Sequence, residues 1–145
     1  RVFDAAAALS GVCLRQAYEG EAAMRLEALV RETPRVDACW RIEGGRLDLT
    51  PLLAALLDLP AREAAEIFHA GLIAAVADWI GEAAAAEGAT RIALGGGCVM
   101  NGVLTDGLGA ALRARGLTVA LPRKLPANDG GLSFGQAAFA LAGMR

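Results

Sequence analysis

Apolar residues recur at helical spacing from Val2 to Leu14 and again from Glu21 to Glu32, where Met24, Leu26 and Leu29 carry the pattern. Each stretch predicts a helix, and Pro34 stops the second. The period then changes. Val36–Ile42 and Arg46–Leu49 alternate imperfectly on either side of Glu43-Gly44-Gly45, which predicts a β-hairpin. Pro51–Leu57 predicts a short helix. Pro60 suits a first helical position, and Ala61–Glu87 reads as one long helix ended at Gly88. Strand Arg91–Leu94, helix Asn101–Arg115 ended at Gly116, strand Leu117–Leu121 and helix Gly131–Gly143 follow. This β-α-β-α ending implies a parallel strand pair with a right-handed crossover. No repeat, low-complexity segment or internal linker interrupts the pattern, so residues 1–145 read as a single α/β domain, long enough to bury a core.

Composition narrows the class. Hydrophobic residues make up 55% of the chain, yet no uninterrupted apolar run is long enough to cross a bilayer, because Glu82 and Glu87 break the Ala83–Ala86 run. The net charge is −2 with no basic cluster, which argues against a nucleic-acid surface. Cys13, Cys39 and Cys98 are odd in number and lack metal-ligand spacing, which suits a reducing cytosol. The chain opens on Arg1-Val2-Phe3-Asp4, with neither an initiator Met nor a signal peptide, and is expected to be a fragment or excised domain of a cytoplasmic protein.

The chemistry concentrates in Arg91–Gly135, where two successive strands each end at a glycine-rich turn. Gly95, Gly96 and Gly97 can take positive φ and let backbone N–H groups approach a ligand closely. A helix starting just after them offers unpaired N–H groups and the positive end of its dipole, the combination that binds phosphate. Asn101 is placed to cap that helix. Asp129, in Asn128-Asp129-Gly130-Gly131, is either a turn former or a ligand for a hard cation. No Gly-Lys-Ser/Thr follows the first turn, so it is not a P-loop, and it lacks dinucleotide-fingerprint spacing. Two plain turns remain an alternative.

The segments GGCVMN and RGLTVALPRKLPANDGGLSFGQAAFA resemble the C-terminal end of the HypF carbamoyltransferase family of NiFe-hydrogenase maturation. RVFDAAAALSG, YEGEAAMRLEAL and DLPAREAAEIFHAGLIAAVADWI resemble the segments ahead of it, and the likeness weakens around Thr33–Thr50. A more distant similarity links the chain to TsaD, the tRNA threonylcarbamoyl transferase, and to antibiotic O-carbamoyltransferases. The resemblance implies the second lobe of an actin-like (ASKHA, ribonuclease-H-type) fold, with a small mixed sheet flanked by helices. In that family the nucleotide lies between two lobes, and the other lobe carries a His-x-x-x-His metal motif. This chain has one histidine, His69, so it is expected to supply half of a site.

The resemblance assigns roles residue by residue. Asp129 stands at a carboxylate ligand for a divalent metal, with Mg, Zn and Fe all open, while Asn128 shapes the turn. Gly96, Gly97 and Asn101 match a Gly-Gly-x-x-x-Asn element that approaches a nucleotide, and a simple N-cap is the alternative for Asn101. Asp4 aligns with a ribose-contacting Asp, and Glu21 lies near a substrate-contacting position. Helix N-terminal stabilisation is the alternative for both. Cys98 is expected to pack inside, His69 to be a packed or edge residue, and Trp40 and Trp79 to anchor the core or a lobe interface. The function so implied is transfer of an ATP-activated carbamoyl group, as carbamoyl-adenylate, to the C-terminal cysteine of HypE. The rest of HypF, including its YrdC-like region and other lobe, would be the further partner. An O-carbamoyltransferase or a non-enzymatic nucleotide-binding module are the alternatives.

Overall fold

The computed structural model describes residues 1–143. Its organising element is the predicted long helix, α4 (Ala61–Glu87), which ends at Gly88 in a left-handed conformation with φ 65°. Pro60 lies just outside it as the N-cap, because its ψ of 142° is extended. By length and composition α4 could span a membrane, but half of its apolar window is buried inside the protein, as befits a core helix. Ala64, Ala65, Phe68, His69, Leu72 and Ala77 are among its buried residues.

Four further helices surround α4. Helix α1 (Val2–Leu9) is shorter than its apolar pattern. Ser10 donates its hydroxyl to the Ala6 carbonyl at 2.8 Å, and Gly11 at φ 70° turns the chain, so Cys13 reaches the core from a loop. Helix α2 (Glu21–Leu29) stops where Val30 becomes extended. Helix α3 (Thr50–Ala54) and helix α5 (Gly102–Ala114) both press close to α4. A Cβ on Gly71 would lie 2.4 Å from Leu52 Cδ1, and one on Gly107 would lie 2.4 Å from Ile73 Cδ1. The absent side chains at these positions set the two approaches. Phe3, Leu26, Leu52, Leu56, Phe68 and Leu112 fill the core between the helices.

The strands form two small sheets rather than one. Strands β1 (Arg41–Glu43) and β2 (Arg46–Asp48) make an antiparallel hairpin with Ile42 opposite Leu47, turned by Gly44 and Gly45 at positive φ. It is shorter than predicted, since β2 runs directly into α3 and leaves residues 36–40 without a partner strand. Strands β3 (Arg91–Ala93) and β4 (Thr118–Ala120) pair in parallel across α5, with Ile92 opposite Val119. The last helix, α6 (Leu132–Gly143), buries none of its residues. Leu132, Phe134, Phe139 and Leu141 are all exposed on it.

Candidate functional site

The two glycine-rich turns meet. Gly96, at φ 94°, donates its backbone N–H to the Ala127 carbonyl at 2.7 Å and so ties the turn after β3 to the loop after β4. Of the three consecutive glycines, only Gly96 uses the positive-φ region. Gly97 opens a single 3-10 turn, Gly97–Met100, and Asn128 caps a second one, Asp129–Gly131. Both border a cleft of about 900 Å³, whose other wall comes from α1, the Gln16–Gly20 loop and the start of α2. The first two amides of a 3-10 turn have no partner within it, and neither Gly97 N–H nor Cys98 N–H meets an acceptor among the described residues. Cys98 is exposed, contrary to the expectation of buried packing, because this first part of the turn faces the cleft.

Asp129 and Asn128 divide their work. Asn128 Oδ1 accepts from Gly130 N–H at 3.1 Å, which is the Asx-turn contact that Asp129 was an alternative candidate to make. The Asp129 carboxylate is exposed and makes no hydrogen bond or ion pair among the described residues, so it is free for a ligand. Asp4, in the first turn of α1, also lines the cleft and accepts from Gln16 Nε2 at 3.0 Å. One carboxylate oxygen thereby gains a positioning contact.

Two other candidates are spent internally. The Glu21 side chain is buried and does not line the cleft. Its Oε2 accepts from Ala17 N–H at 2.5 Å, and its Oε1 pairs with Arg25 at 2.6 Å. It braces the Ala17–Gly20 loop, which does line the cleft. Asn101 borders the cleft but is only 6% exposed. Its Oδ1 accepts from Leu104 N–H at 2.8 Å, so it caps α5. Its Nδ2 donates to His69 Nε2 at 3.2 Å. Glu27 Oε1 accepts from Gly102 N–H at 2.7 Å and satisfies another donor at the same helix end. At the start of α5 the Gly102 and Leu104 N–H groups are therefore taken up by side chains of the chain itself, while the Gly97 and Cys98 amides of the preceding 3-10 turn stay open. Gln16, Glu27 and His69 carry no motif. Glu27 meets its partner 75 residues away, which no local spacing announces.

The cleft is acidic. Among the described residues Asp4, Glu19, Glu27 and Asp129 line it against one guanidinium, Arg1. An anionic ligand would need backbone N–H groups and a bound cation there. Among the described residues no group of three or more His, Cys, Asp or Glu side chains converges to hold a metal. A second concavity of about 750 Å³ lies between the hairpin and the C-terminal half of α4. It contains the Asp78–Arg115 ion pair and none of the predicted site residues. Trp79, close by in sequence, donates its indole N–H to the Gly45 carbonyl at 2.8 Å and pins the hairpin to α4.

Comparison with known proteins gives this geometry a family. Residues 1–136 match the family model described as "Carbamoyltransferase, Kae1-like Domain, second subdomain". The carbamoyltransferase HypF of Rhizobium leguminosarum bv. viciae is 52% identical over 143 residues, covering 97% of this chain and 19% of that protein. A crystal structure of full-length HypF in its phosphate- and nucleotide-bound form superposes with a TM-score of 0.85 at 30% identity, covering 96% of this chain and 19% of that one. The crystal structure of T. kodakarensis HypF gives a TM-score of 0.81 at 30% identity, covering 98% and 20%. The chain thus spans about a fifth of the length of these relatives. It belongs to the HypF carbamoyltransferase family, with the fold of the second subdomain of the Kae1-like domain.

Proposed function

We propose that this chain supplies one wall of a carbamoyl-transfer site that holds the nucleotide part of an ATP-activated carbamoyl group. The observation that carries the reading is the juxtaposition in one cleft of the open Gly97 and Cys98 amides with the free Asp129 carboxylate. The amides face phosphate oxygens, Asp4 accepts from ribose hydroxyls, and Asp129 contributes a charged oxygen to a divalent cation (Mg, Zn or Fe). When bound, that cation polarises the carbamoyl or phosphate oxygens. The acceptor in this reading is the C-terminal cysteine thiol of HypE, and transfer from carbamoyl-adenylate releases AMP. The HypF identity of the relatives favours this over an O-carbamoyltransferase or a bare binding module.

The remainder of a HypF protein is the partner this surface fits. Parallel strands normally lie covered on both faces, yet the end residues of β3 and β4, Arg91, Ala93, Thr118 and Ala120, are exposed. Helix α6 presents Phe134 at 58% and Phe139 at 83% exposure. Such apolar area marks a contact surface. The 145-residue chain alone is accordingly expected to give no sustained carbamoyl transfer to HypE, as an assay with ATP and carbamoyl phosphate would read. Turnover by the chain alone would remove the half-site reading.

Gly97→Val in the full-length protein tests the nucleotide contact. A Cβ on Gly97 meets nothing within 4 Å, and its φ is outside the left-handed region, so the fold accommodates the change. Nucleotide affinity should fall about tenfold or more, because the added methyl groups occupy the approach to the amides. Calorimetric titration beside a thermal melt separates the two effects. A stable variant with wild-type affinity would sink the proposal.

A further inference from the structure

Among the described residues His69 is the most buried polar side chain, at 0% exposure, and both of its ring nitrogens are engaged. The network fixes its proton. Asn101 Oδ1 must face the Leu104 N–H it accepts from, so Asn101 Nδ2–H points at His69 Nε2. That nitrogen is therefore the acceptor, and Nδ1–H donates to the Ala65 carbonyl at 2.8 Å. The rings of Phe3 and Phe68 meet the imidazole in T-shaped contacts, with centroids at 5.7 and 5.5 Å.

Downstream of Asn101 the contacts lead back to the cleft. Thr105 N–H donates to the Asn101 carbonyl, and Thr105 Oγ1 donates to the Val99 carbonyl at 2.8 Å. Asn101 N–H itself donates to Cys98 O at 3.1 Å. The cap on α5 and the Gly97–Met100 turn are thus one hydrogen-bonded unit, anchored to α4 through His69.

We propose that His69 is a positioning residue for the cleft: as a neutral imidazole it holds the Asn101 amide in the orientation that caps α5, and so fixes the Gly97–Cys98 amides where the ligand lies. Protonation would place a second N–H against the Asn101 NH₂. Were the amide to flip, Leu104 N–H would lose its acceptor, so either arrangement forfeits one bond. The other charged groups around His69 leave the neutral form dominant. Burial pushes the imidazole below its ordinary value, and the hydrogen bond to the Ala65 carbonyl and the charge of Glu27 on α2 only partly offset this. On the other elements packed against α4, Asp4 of α1 is turned to Gln16, α3 has no ionisable side chain, and Asp48 of β2 accepts from Thr50. Arg46 of β2 and Asp106 and Arg113 of α5 are exposed, and Glu66 of α4 accepts from Arg31 N–H. The sign follows: the folded-state pKa is depressed, so the contribution is complete above about pH 6.5 and is lost as pH falls through the lower folded value.

The consequence for the ligand rests on the nucleotide reading above, so the test has two arms. Full-length wild-type protein, His69→Phe and His69→Gln are compared from pH 8 down to the onset of acid unfolding. Hydrogen exchange in peptides covering Gly97–Thr105, corrected for intrinsic rates, reads the turn, and nucleotide titration reads the site. His69→Phe keeps the ring packing but removes the acceptor, and should lower protection there about tenfold at every pH. His69→Gln offers Oε1 in place of Nε2 and should restore protection with no dependence on pH. Wild-type protection and affinity should both fall on acidification. If His69→Phe does not fold, the comparison of wild type with His69→Gln still decides. Identical pH profiles for those two, or unchanged protection in a folded His69→Phe, would overturn the proposal. Absent nucleotide binding with the expected exchange pattern would instead refute the nucleotide reading and leave the His69 lock standing.

Discussion

Asp129→Asn in the full-length protein is expected to lower metal-dependent nucleotide affinity by about 100-fold while leaving stability within about 0.5 kcal/mol. The two halves of this expectation have separate physical grounds. Asp129 is exposed and has no hydrogen-bond partner among the described residues, and the turn is made by Asn128 and Gly130, so an amide of the same shape disturbs nothing. The cleft, however, is acidic and among the described residues is lined by one guanidinium, so in the proposed reading a cation offsets the repulsion of a phosphate-bearing ligand. An amide oxygen lacks the charge that attracts that cation. If the proposed function holds, with carbamoyl-adenylate made in the YrdC-like region, its formation should continue whereas transfer to HypE should stop. Calorimetric titration with metal and nucleotide, run beside separate assays of the two half-reactions, checks each part. Unchanged binding with normal transfer would reduce Asp129 to a turn residue.

Phe68→Ala should cost about 3–5 kcal/mol, a large part of the stability of a domain this size. Phe68 is fully buried at the crossing of α1 and α4 and meets Phe3 edge-on, with centroids 5.2 Å apart and planes at 81°. Truncation removes that contact and leaves a cavity in a core whose other members include many short alanines. It also withdraws one of the two rings that meet His69. Phe139→Ala in the same 145-residue chain is the control, expected within about 0.5 kcal/mol because the ring is 83% exposed. Urea unfolding of both variants would check the pair, and a comparable loss at the two positions would contradict the packing described here.

What the sequence determined by itself was local. The α4 boundaries, Ala61–Glu87, were legible because the apolar pattern is long and Pro60 and Gly88 punctuate it. The parallel pair across α5 followed from the order of strand and helix patterns. The Asn101 cap and the Asn128 turn were legible because a short polar side chain makes those contacts with backbone two or three residues on. The family resemblance was likewise legible in contiguous motifs, which the family match over residues 1–136 bears out. Tertiary structure alone decided which polar groups remained free. Glu21 and Asp129 are both carboxylates near helix starts, yet Glu21 is consumed by Ala17 and Arg25 while Asp129 meets no partner among the described residues. Cys98 faces the cleft rather than the core, and His69 is tied to Asn101, 32 residues away. Nor did the residues of Val36–Trp40 announce that they would lack a partner strand. A side chain's type and spacing set which contacts it can make, but its use as a brace or a ligand depends on the donors that distant segments bring within about 3 Å, and that is settled only by packing.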